Sequence, residues 1–187
     1  MSSPPDVPVL VSKTLDLSRR RGFITSTRNE TGRLLATLAA TRRGSLAELG
    51  TGCGVGSAWL HSGAPSDTNI ITAELDPDLA RDVQQIFSEA TNVRIISGDW
   101  SVLEELAPFS LIFVDVREVM EDMDHLVRLL EPGGIAVLDD FTPSATWPPI
   151  VDGKIDSVRE RWLTDSRFAA VEMLIDTSAS VIIATLR

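Results

Sequence analysis

The chain is poor in the residues that make covalent or metal staples. Its 187 residues include one cysteine, Cys53, and two histidines, His61 and His125. One thiol cannot close an intrachain disulfide, and a zinc cluster built on cysteine or several histidines has no ligands to draw on. No stretch approaches the ~20 apolar residues that span a bilayer, so a membrane is not an expected partner. Met1-Ser2-Ser3-Pro4-Pro5-Asp6 has neither the positive start nor the apolar run of a secretory signal, and the expected compartment is the cytoplasm. Basic charge is scarce too: 17 Lys and Arg stand against 27 Asp and Glu, a net charge of −10. A surface of that sign does not neutralise phosphates, so nucleic acid is not an expected partner either. The run Arg19-Arg20-Arg21 reads as a solvated segment rather than a phosphate patch.

Apolar residues make up 43% and charged residues 24%, the balance of a globular chain. A chain of this length can bury roughly 70% of its unfolded surface, enough for a core without staples. Residues 1–28 read as an N-terminal arm with Pro4, Pro5 and Pro8, and residues 29–187 as one domain. Thr27 or Asn29 is expected to cap a helix running to about Arg42, with Gly44 at its C-terminal end.

A regular alternation follows. Strand-like runs at 45–50, 69–75, 93–97, 111–116 and 135–138 alternate with helical patterns at 55–61, 77–90, 101–106 and 119–130. Asp76-Pro77 is an N-cap followed by proline at the first helical position. Asp156 or Ser157 caps a last helix, and Phe168–Ile175 with Ser180–Leu186 reads as a closing antiparallel hairpin. Such alternation predicts an α/β fold: a doubly wound, Rossmann-like, mostly parallel seven-stranded sheet with helices on both faces. Ligands of such sheets bind beyond the carboxyl ends of the strands, so the residues just after each strand carry the information.

The first strand ends in Glu48-Leu49-Gly50-Thr51-Gly52-Cys53-Gly54-Val55-Gly56. Alternating glycines before a helix let a ligand approach the backbone and meet free N–H groups. The dinucleotide pattern G-x-G-x-x-G fails: from Gly50 its third small position is Val55, and from Gly52 it is Ser57. The second strand ends in Glu74, whose carboxylate can accept hydrogen bonds from both hydroxyls of a ribose. Ser97-Gly98-Asp99-Trp100 ends the third strand, Asp115 the fourth, and Asp139-Asp140 the fifth.

As a set, these motifs resemble the class I S-adenosylmethionine-dependent methyltransferases. The resemblance implies that Glu48, Gly50, Thr51, Gly52, Gly54 and Gly56 wrap the cofactor's methionine end, with Glu48 beneath its amino group. It implies that Glu74 and Leu75 meet the ribose, and Gly98, Asp99 and Trp100 the adenine. Thr27, in a segment 24–27, would pass beside the cofactor, and Asp115 would border it. Within that family the chain resembles the small catechol and caffeoyl-CoA type of O-methyltransferase. There a divalent cation such as Mg²⁺ binds both acceptor oxygens, which implies Asp115, Asp139 and Asp140 as ligands, with Asp115 and Asp140 catalytic. Two positions depart from that pattern. Asp140 stands where the family has asparagine, and Glu118 where it has a lysine that is a candidate general base. The expected activity is O-methylation of a small hydroxylated molecule. Metal-independent transfer, a non-catalytic cofactor-binding protein and a nicotinamide-dependent oxidoreductase stay open as alternatives. A homodimer is compatible with the composition.

Phe141–Pro149 forms a proline-rich loop at the same rim, which reads equally as a roof over the acceptor, an interface or an exposed connection. Cys53, with no histidine placed beside it, is not expected to act as a nucleophile. His61 and His125 read as packing or surface positions on helices, and Trp162 as a core or subunit-contact position.

Overall fold

A computed structural model describes residues 6–23 and 26–187. Ile24 and Thr25, which the resemblance puts beside a cofactor, lie outside the described residues. Helices α1 (Val9–Arg21) and α2 (Asn29–Ala39) precede strand β1 (Leu46–Leu49). Then come α3 (Val55–Gly63), β2 (Ile70–Glu74), α4 (Pro77–Ile86) and β3 (Val93–Ser97). A 3₁₀ helix (Trp100–Leu106) leads to β4 (Phe109–Val114), α5 (Arg117–Glu121), α6 (Met123–Leu129) and β5 (Leu130–Phe141). The short pair β6 (Ile150–Val151) and β7 (Lys154–Ile155), α7 (Ser157–Thr164), β8 (Phe168–Leu174) and β9 (Ser180–Leu186) complete the chain.

The main sheet has seven strands in the order β3-β2-β1-β4-β5-β9-β8. The first five are parallel, and β9 and β8 are antiparallel additions. Alternation along each central strand feeds two cores. From β4, Ile112 and Val114 enter the core beneath α5, α6 and α7, while Leu111 and Phe113 enter the one beneath α1 to α4. Every residue of β4 is buried, as expected of a strand covered on both faces. The strand order reverses between β1 and β4, so their carboxyl ends diverge into a crevice there.

Within the N-terminal arm lies α1, whose buried Val11, Thr14, Leu17 and Ser18 form a stripe that joins the core of α3 and α4. Several local expectations are corrected. Neither Thr27 nor Asn29 caps α2: Arg28 is the N-cap residue and makes no capping side-chain bond. The helical pattern over 119–130 divides at Asp122, whose side chain caps a new helix by accepting from His125 N. Asp76 caps α4 as predicted, accepting from Asp78 N at 2.9 Å and Leu79 N at 3.2 Å.

Candidate functional site

The glycine loop begins where β1 stops. Gly50, Gly52 and Gly54 all have φ in the left-handed region, at 91°, 51° and 82°. Only glycine takes these conformations without strain. Thr51 pins the turn: its N–H donates to Ala73 O at 3.0 Å and its hydroxyl meets Thr72 Oγ1 at 2.7 Å. At the end of β2, Glu74 Oε2 accepts from Gly52 N at 2.8 Å and Oε1 from Asp76 N at 2.9 Å. The carboxylate is thus locked in one orientation against the loop, with lone pairs left over.

These strand ends surround a cavity of about 870 Å³. Thr27, Glu48, Gly50, Thr51 and Gly52 line one end. Glu74, Leu75, Gly98, Asp99 and Trp100 line another, and Asp115, Asp139 and Asp140 a third. Ser26, of the segment expected beside the cofactor, and Glu118, at the position of the family's lysine, line it as well. Phe23, Arg28, Cys53, Val116 and Val119 also line it and were not among the expected cavity residues. Phe23 and Arg28 lie in a segment without periodicity, and the folding of α1 and α2 over the loop brings them in.

Gly54 and Gly56 do not line the cavity. A Cβ on Gly54 would lie 2.8 Å from Val83 Cγ1, under α4. A Cβ on Gly56 would fall on Glu48 Oε1 and stand 2.8 Å from the Phe113 ring. Gly56 therefore makes room for the glutamate. Gly56→Ala is expected to lower thermal stability by about 1–3 kcal/mol, roughly 2–10 °C in Tm. A melting curve that matches the wild type would contradict this packing role.

Burial shapes the carboxylates. Glu48 is 2% exposed and accepts from the Ser57 hydroxyl, but desolvation pushes its pKa up to about 8. Asp115 is pushed up to about 7, by burial first and then by the charges of Asp139 and Asp140. Burial likewise raises Asp139, against a hydrogen bond from Thr31 Oγ1 at 3.3 Å. Asp99 caps the 3₁₀ helix, accepting from Ser101 N at 3.0 Å, and the Ser101 side chain first and this N–H second hold it below its ordinary value. Trp100 is backed by the His125 ring, with centroids 4.6 Å apart.

β5 breaks register between Leu138 and Phe141, and Asp140 sits at φ 64°. That break displays two consecutive carboxylates at the cavity rim. It does not make them converge. Asp139 turns to Thr31, while Asp140 is 69% exposed in its side chain and pairs with Arg28 Nη1 at 3.3 Å. Among the described residues no group of three or more His, Cys, Asp or Glu side chains is placed to hold a metal ion. The three aspartates therefore do not fit a divalent cation as arranged, because the rim's positive partner is a guanidinium.

The loop after β5 lies outside the cavity lining. Its carbonyl at Thr142 accepts from the buried Arg159, and Asp156 pairs with Arg117, which anchors α7 and the loop to α5. Trp162 is buried and donates through Nε1 to Met120 O at 2.9 Å. Among the described residues no helix is long and apolar enough to cross a membrane.

Comparison with known proteins places residues 47–141 in the family described as "Methyltransferase domain". A Mycobacterium ulcerans protein named "Putative O-methyltransferase" is 36% identical over 142 residues, 69% of this chain. The chain spans 63% of that relative's length. Among solved structures, the O-methyltransferase TomG of Streptomyces achromogenes, in complex with SAM, superposes with a TM-score of 0.75 at 22% identity. The match covers 97% of this chain and 92% of that one. The O-methyltransferase of Bacillus cereus in complex with SAH gives 0.74 at 16% identity, covering 98% and 93%. At these identities the likeness establishes the fold.

Proposed function

The chain belongs to the methyltransferase-domain family, and from that premise we propose that it is an S-adenosylmethionine-dependent methyltransferase acting on a small hydroxylated molecule. One observation carries the reading: Glu74, locked by Gly52 N and Asp76 N, faces a cavity at the point where the strand order reverses. A diol ligand is what such a carboxylate receives. The glycine loop then takes the methionine end, Leu75 and Trp100 flank the nucleoside, and the acceptor lies toward Asp115. The cofactor complexes of the Streptomyces and Bacillus neighbours support this assignment.

The transfer is an in-line displacement. The acceptor oxygen forms a bond to the methyl carbon while the sulfonium–carbon bond breaks and leaves S-adenosylhomocysteine. The acceptor proton passes to Asp115, whose pKa near 7 suits a base at neutral pH. The rest of the protein's contribution is positioning. A divalent ion would supply acidification of the hydroxyl. The carboxylates here do not assemble for one, and no step is assigned to it.

In this reading Glu48, at the methionine end of the cavity, would face the cofactor's ammonium group. A nearby cation favours its ionised form, whereas in the unliganded protein it holds its proton up to about pH 8. Binding of S-adenosylhomocysteine at pH 7 is therefore expected to release up to about one proton per site, and less at pH 9. Titrations in buffers of different ionisation enthalpy measure this. Heats that do not depend on the buffer would contradict it, and Glu48→Gln should abolish the release.

The activity itself is tested with labelled S-adenosylmethionine and a panel of catechols and phenols. Acceptor-dependent formation of S-adenosylhomocysteine is the expected result. Cofactor binding with no turnover on any of them would instead favour a non-catalytic binding protein.

A further inference from the structure

Among the described residues, the cavity lining at the acceptor end includes three aspartates, Asp115, Asp139 and Asp140, and one cation, Arg28. Arg28, at the N-cap of α2, reaches across the fold to two other elements. Its Nη1 lies 3.3 Å from Asp140 Oδ1 at the end of β5, and its Nε 3.4 Å from Asp176 Oδ2 in the turn between β8 and β9. The side chain is 38% exposed and lines the cavity. Its field also acts on Asp115 and Asp139. Nη2 makes no hydrogen bond among the described residues, so one edge of the fork is left for a ligand.

We propose that Arg28 is the resident cation of this rim, holding the place a divalent ion would otherwise take against Asp115, Asp139 and Asp140. The positive charge that an acceptor oxygen meets in this cavity is then a guanidinium. Three observations converge on this. Asp140 departs from the helix-and-strand backbone at φ 64° and pairs with Arg28, away from Asp139. No three carboxylates share a focus among the described residues. Two carboxylates from distant parts of the chain, Asp140 and Asp176, lie against the Arg28 guanidinium and keep its positive charge at the rim. Reading the rim as the acceptor end rests on the methyltransferase proposal. The statement about the cation does not.

The test is Mn²⁺ binding, read by electron paramagnetic resonance of the free ion at fixed ionic strength and neutral pH. The forms compared are the wild type, Arg28→Ala, Arg28→Lys and the double variant Arg28→Ala/Asp140→Ala. The wild type is expected to bind Mn²⁺ weakly. Removing Arg28 leaves the carboxylates uncompensated, so Arg28→Ala should bind at least about tenfold tighter. Arg28→Lys should stay close to the wild type, and Asp140→Ala should remove the gain. Equal binding by wild type and Arg28→Ala, whether tight or absent, would overturn the proposal. A gain that survives Asp140→Ala would overturn it as well. S-adenosylhomocysteine titration of each form separates the two readings. A wild type that fails to bind that ligand contradicts the methyltransferase reading alone. Arg28→Ala that still binds it shows that the cavity is intact.

Discussion

Glu74→Ala is expected to weaken S-adenosylhomocysteine binding by about a hundredfold or more. Hydrogen bonds to a charged acceptor contribute about 1.5–3 kcal/mol each, and a ribose offers two. The carboxylate is already oriented by Gly52 N at 2.8 Å and Asp76 N at 2.9 Å, so little ordering cost is left for binding. The same replacement frees the Gly52 N–H and loosens the loop that meets the methionine end, which adds to the loss. Calorimetry on the wild type and variant measures it, with melting curves to show that the variant is folded. A variant that binds within about threefold of the wild type, less than a single such bond is worth, would remove Glu74 from the site.

Asp115→Asn is the second large effect. If Asp115 takes the acceptor proton, its loss should lower kcat by about 10²–10⁴ while cofactor affinity changes little. In the wild type kcat/KM should rise with pH through about 7, as the carboxylate of the free enzyme ionises, and then level. The stability effect has the opposite sign. The folded pKa of about 7 lies above the ordinary value of 3.8, so the folded state holds this proton more tightly than the unfolded chain. That contribution is fully present below about pH 4 and is lost as pH rises through about 7. Above pH 7 the charged form is a cost of keeping the site, and asparagine removes it. Asp115→Asn should therefore melt higher than the wild type at pH 8 and be nearly inactive. A variant that is both less stable and fully active would contradict the role on both counts.

The parts of the site legible in the sequence are those set by local backbone chemistry. Gly50 and Gly52 after an apolar strand, Glu74 at the end of the next, and the Asp76-Pro77 cap are each decided within a few residues. All fall where the pattern predicts. The same is true of the alternation that predicts the sheet and of the closing hairpin β8–β9. What the sequence hid depends on contacts far apart along the chain. Arg28 meets Asp140 across 112 positions. Gly56 follows the motif spacing of a ligand-binding glycine, yet it faces Glu48 and Phe113, because a helix and two strands are packed there. The stripe Val11, Thr14, Leu17 and Ser18 has helical spacing, but Pro8 before it and three arginines after it gave the segment the look of an arm. The register break at Asp139-Asp140 has no local signal such as glycine or proline. It explains why three aspartates that look like a metal set in sequence do not form one.

The central claim is that this cavity takes S-adenosylmethionine. The most direct measurement is calorimetric titration of the wild-type protein with S-adenosylhomocysteine, with NADH as the competing hypothesis. The account predicts one site per chain with a dissociation constant on the order of micromolar, and no heat with NADH. No binding of S-adenosylhomocysteine, or binding of NADH in its place, would contradict it.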